Sequence, residues 1–112
     1  MRICVVILSG QLLFAEGVAS RILEYLQNVE LEIVDPRQPD AMAQIVNARP
    51  TVVLLDDSDH EVTRLFSLSK LLRSFPGLKV IRLDLQQGQI QVVTSEQRPA
   101  VEVRDLIEAI KI

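Results

Sequence analysis

The stretch Pro50-Thr51-Val52-Val53-Leu54-Leu55-Asp56-Asp57-Ser58-Asp59-His60 decides the fold. Five consecutive β-branched or leucine residues, Thr51 to Leu55, show no alternation of apolar and polar side chains. That pattern marks a parallel strand covered by helices on both faces, not a sheet with one wet side. The run stops at three carboxylates and the only histidine of the chain, so the carboxyl end of this strand opens onto a polar crevice. In open α/β sheets ligands bind just beyond such strand ends.

Outward from that strand, elements alternate with short links. Arg2 to Leu8 reads as a buried first strand and Ser9-Gly10 as its turn. Leu12 to Leu26 carries apolar residues at helical spacing; Gly17 inside it costs about 1 kcal/mol against Ala, which a close approach to the sheet would justify. Leu31, Ile33 and Val34 form a second strand, stopped at Asp35-Pro36 because proline disfavours helix at the residue before it. Pro39-Asp40 opens a second helix that ends near Asn47 to Pro50. After the central strand, a third helix runs from Val62 to Leu72, with Asp59 placed to cap it. Leu78 to Leu85 is a fourth strand. Gln86-Gln87-Gly88-Gln89 then leads to Ile90–Thr94, a link too short for a crossover helix, so the last two strands form an antiparallel hairpin. Pro99 leads into a final helix whose Val103, Leu106, Ile107 and Ile110 are expected to face inward.

Composition fits one α/β domain spanning residues 1–112. The 112 residues are 48% hydrophobic and only 4% aromatic, so the core is aliphatic. A formal net charge of −3 gives no broad basic field, which argues against nucleic acid as a direct partner. The apolar amino terminus is too short for a membrane span. A single cysteine, Cys4, excludes an internal disulfide and reads as a buried, inert thiol of a reducing, cytoplasmic compartment. Neither a dinucleotide fingerprint nor a Walker pattern occurs, and Ser58 near His60 makes no triad. No catalytic activity is expected.

Two runs carry a family resemblance: Leu13-Phe14-Ala15-Glu16-Gly17-Val18 after the first strand, and Arg49-Pro50-Thr51-Val52-Val53-Leu54-Leu55-Asp56. Together and in order they resemble the receiver domains of bacterial response regulators, the signalling modules of two-component systems, over Met1 to about Leu83. The similarity is to receivers of regulators with a helix-turn-helix output domain. The resemblance implies a flavodoxin-like three-layer sandwich with a mostly parallel five-stranded sheet in the order 2-1-3-4-5. Here the hairpin of the last two strands replaces the family's fourth helix.

It also implies that Asp56 occupies the phosphoacceptor position. Receivers need a divalent cation, Mg²⁺, to offset the phosphoryl charge, and an acidic pair after the first strand helps hold it. Ser9 and Gly10 stand at those positions and supply no carboxylate. The family's switch hydroxyl aligns with Asp84, whose charge would repel a phosphorylated Asp56, and Thr94-Ser95-Glu96 occupies the region of the family's lysine. The acceptor is kept and its apparatus lost. One reading makes Asp56 a silent carboxylate, hydrogen-bonded to backbone or water, with no cofactor. The other makes it a phosphoacceptor with non-standard metal ligation, for which Asp56, Asp57 and Asp84 are the candidate ligands, with Asp59 and His60 nearby.

The remaining signal is surface. A hairpin in place of a crossover helix takes one cover off the sheet and leaves Ile81, Leu83, Leu85, Ile90, Val92 and Val93 as a candidate interaction surface. The expected partner is another protein or a second copy, with the hairpin extending a sheet through its edge hydrogen bonds. Alternatively, the third and last helices slide over to cover the gap.

Overall fold

A computed structural model describes residues 2–84, 86–94 and 101–111. In chain order the elements are β1 (Ile3–Leu8), α1 (Leu12–Tyr25), β2 (Val29–Val34), α2 (Ala41–Ala48) and β3 (Val52–Asp56), then α3 (His60–Leu65), α4 (Leu68–Ser74), β4 (Lys79–Asp84), β5 (Gln89–Thr94) and α5 (Val103–Lys111). The strands make one sheet in the order β2-β1-β3-β4-β5. The first four are mutually parallel and β5 runs antiparallel to β4. Gly88, at φ +63°, takes the left-handed backbone that the turn between them needs.

The two inner strands show why the sheet is covered twice. In β1 the four residues Val5 to Leu8 are all buried, and in β3 so are Val53 to Asp56. Alternate side chains enter opposite layers. On one face Val5, Ile7 and Leu54 pack with Ala15, Val18 and Ile22 of α1. On the other, Val6, Leu8, Val53, Leu55 and Val80 pack with Ala41 and Ile45 of α2, Val62 of α3 and Leu71 of α4. Burying a Val, Leu or Ile contributes about 1.5–3 kcal/mol, so these aliphatic layers are the main source of stability.

Several sequence expectations are corrected. The helix expected over Val62 to Leu72 is two helices, because Ser67 accepts a hydrogen bond at its Oγ from the Lys70 N–H and thereby caps a new one, α4. His60, near the candidate ligands in sequence, is the exposed first residue of α3. Gly17 is exposed, and a Cβ there would meet nothing within 4 Å, so no close helix-to-sheet approach accounts for it. Cys4 is half-buried, its Sγ donating to the Ala48 carbonyl at 3.2 Å. The largest departure is α5. Val103, Leu106, Ile107 and Ile110 are 75%, 60%, 43% and 71% exposed. Periodicity identifies the apolar stripe of a helix but not the surface it meets.

Candidate functional site

The site forms where β1 and β3 end side by side. Their parallel register sets Leu8 opposite Leu55, so the next residues, Ser9 and Asp56, come together at the carboxyl edge of the sheet. Both are 2% exposed. A buried carboxylate is tolerated only when hydrogen-bonded, and Asp56 is. Its Oδ2 accepts from the Ser9 hydroxyl at 2.9 Å; its Oδ1 accepts from the Ser58 N–H at 3.0 Å and from the Ser58 hydroxyl. Ser9 Oγ in turn accepts from the Gln11 N–H at 3.1 Å, which ties the start of α1 to the same cluster.

Asp59 forms the second layer. It is buried and caps α3, its Oδ1 accepting from the Glu61 N–H at 3.0 Å, while its Oδ2 accepts from the Gly10 N–H at 2.6 Å. Arg37 closes over the same turn. Its guanidinium donates to the Gly10 carbonyl at 3.1 Å and holds Asp35 through both carboxylate oxygens at 3.1 Å each. A Cβ on Gly10 would sit 3.0 Å from Asp59 Oδ2 and 3.2 Å from Arg37 Nε. The side-chain hydrogen bonds from Arg37, and then its backbone N–H, hold the Asp35 carboxyl below its usual range. The Arg37 guanidinium is pushed up by its bond to Asp35 and by the charges of Asp35, Asp59 and Glu61.

The other candidate carboxylates are engaged elsewhere. Asp57 receives a two-pronged contact from Arg82, Nε to Oδ1 and a terminal nitrogen to Oδ2, each 3.1 Å. Asp84 accepts from the Gln87 N–H at 3.2 Å inside the β4–β5 turn. Leu83, not Asp84, is paired with Asp56. Pleat alternation sends Asp84 to the opposite face, onto a polar groove it lines with Asp57, Arg82, Gln89 and Gln91. Asp56, Asp57 and Asp84 therefore do not converge, and among the described residues no three His, Cys, Asp or Glu side chains are grouped to hold a metal ion.

Of the surface residues, Ile81 lies opposite Val92 and Leu83 opposite Ile90, so these four share one face of the sheet. Ile90 and Val92 are 65% and 52% exposed. Val93 pairs with the buried Val80 on the other face, and Leu85 lies outside the described residues. Two contributors escaped the sequence reading. Ser58 carries a readable signal, since a residue two after an aspartate commonly donates back to it in a turn. Arg37 stands in the same relation to Asp35, but its bond to Gly10, 27 positions away, carries no local signal.

No helix among the described residues is long and apolar enough to cross a membrane. Compared with models of protein families, with curated proteins and with solved structures, the chain matches none.

Proposed function

We propose that this chain is a receiver-like, flavodoxin-type signalling module that works in the cytoplasm without phosphorylation, through protein contacts, and performs no catalysis. The observation that carries the reading is the state of Asp56. Its two oxygens already accept three hydrogen bonds from Ser9 and Ser58 in a buried setting. Nucleophilic attack on a phosphoryl group needs a carboxylate oxygen that the donor can reach and a cation to offset the incoming charge, and Asp56 is buried. At the positions where the family resemblance puts cation-holding acids, Ser9 is a donor to Asp56, and Gly10 is held between Asp59 and Arg37. The contact surface in this reading is the apolar face of the hairpin, Ile81, Leu83, Ile90 and Val92.

The test is titration of the full chain with Mg²⁺ and beryllofluoride, followed by amide NMR. The expected result is no shift at Ser9, Asp56 or Ser58. Shifts there that vanish in Asp56→Asn would establish the competing reading, a phosphoacceptor with non-standard metal ligation.

A further inference from the structure

The two edges of the sheet differ. β2 carries Glu30 and Glu32, both exposed, Glu30 paired with Arg2, so a second copy laid along it would bring charged side chains together at the edge. β5 carries neither charge nor proline, and no strand among the described residues pairs with its outer side.

Its backbone direction follows from β4. Lys79 donates its N–H to the Thr51 carbonyl, and the Leu83 carbonyl accepts from the Asp57 N–H. The alternate residues Lys79, Ile81 and Leu83 thus turn their backbone groups towards β3, while Val80, Arg82 and Asp84 turn theirs towards β5. Val93, Gln91 and Gln89 are the partners that complete this ladder. Ile90, Val92 and Thr94 consequently direct their N–H and C=O groups away from the sheet, an open row of donors and acceptors in a strand of uncharged side chains.

We propose that β5 pairs antiparallel with β5 of a second copy of this chain, about a two-fold axis at Val92, joining the two sheets into one. The proposal rests on the contact-module reading and names its partner. An axis at Val92 sets Val92 opposite its own copy and Ile90 opposite Thr94. These are the residues whose backbone groups point outward, so every facing pair exchanges both hydrogen bonds. A two-fold perpendicular to the sheet also keeps Ile90 and Val92 of both copies on one face, making a single apolar surface. A strand edge alone is smaller than the roughly 1,200 Å² that a stable complex buries. The unburied stripe of α5, Val103, Leu106, Ile107 and Ile110, is further apolar surface that the pairing leaves for a larger contact.

Light scattering on the full chain over a concentration series tests this. The expected mass is twice 12.6 kDa. Val92→Pro removes an N–H that bonds to nothing among the described residues, and proline is tolerated at such edge positions; Val92→Lys places a charge on the axis. Both variants are expected at 12.6 kDa with unchanged far-UV circular dichroism. If the proline variant misfolds, the lysine variant decides. A wild-type chain that stays at 12.6 kDa, or a Val92→Lys chain that does not, overturns the proposal. The Asp56 reading is judged separately. A beryllofluoride response in a dimeric chain would overturn that reading and leave the β5 edge standing, whereas a silent monomer would do the reverse.

Discussion

The Ser9 hydroxyl donates to Asp56 Oδ2 at 2.9 Å across 47 positions of sequence, locking the ends of β1 and β3 together. A hydroxyl at this position neutralises no charge, but it satisfies a carboxylate that the sheet has buried. Ser9→Ala removes that donor, and also the acceptor for the Gln11 N–H. Leaving buried polar atoms unsatisfied costs about 1–3 kcal/mol each, so we expect destabilisation of that order. Urea unfolding of the two chains measures it; an unchanged midpoint would show that water replaces the hydroxyl.

Gly10 is small because of its neighbours, not because of its backbone conformation. A methyl group there is 3.0 Å from Asp59 Oδ2, the oxygen that accepts from Gly10 itself. Gly10→Ala is therefore expected to displace the Asp59 carboxylate and weaken the cap of α3, at a cost of about 0.5–2 kcal/mol. Gly10→Asp is expected to destabilise the fold further and to create no Mg²⁺ affinity. Thermal unfolding with and without Mg²⁺ reports both effects.

Gly17 has no such neighbour. With open space around its missing Cβ and a helical setting in α1, alanine adds helix propensity without a clash. Gly17→Ala is expected to stabilise the chain by about 1 kcal/mol. A lower melting temperature would instead mean that the exposed face of α1 bears on something outside the single chain.

The Cys4 thiol is pushed up from its usual pKa by burial, with smaller contributions from the charges of Glu30 and Glu32. Because the folded-state value is the higher one, its stabilising contribution is present below the unfolded thiol pKa of about 8.5 and is lost as pH rises through the folded value. We expect alkylation by iodoacetamide to be slower in the folded chain than in urea at the same pH, with a pH–rate profile displaced upward. Glu30→Gln and Glu32→Gln should each move that profile part of the way back.

Much of this architecture was legible in residue order. The unbroken aliphatic runs of β1 and β3 announce strands buried on both faces, because only a two-sided cover removes consecutive side chains from water. Asp59 announces a cap, since its carboxylate sits where α3 has free N–H groups. The position of Asp56 at a strand end, and the absence of a carboxylate at Ser9 and Gly10, are equally readable.

The sequence by itself therefore determined the alternation of elements, the aliphatic core and the place of Asp56 at a strand end, with no carboxylate at Ser9 or Gly10. Only the tertiary structure decided which groups satisfy that carboxylate, that Arg37 lies over Gly10, that Asp84 leaves for the opposite face, and that the apolar stripe of α5 stays exposed. The division has a physical cause. Periodicity and turn chemistry act over a few residues and are written locally, whereas hydrogen bonds across 27 or 47 positions depend on register and pleat, which are set when strands pair.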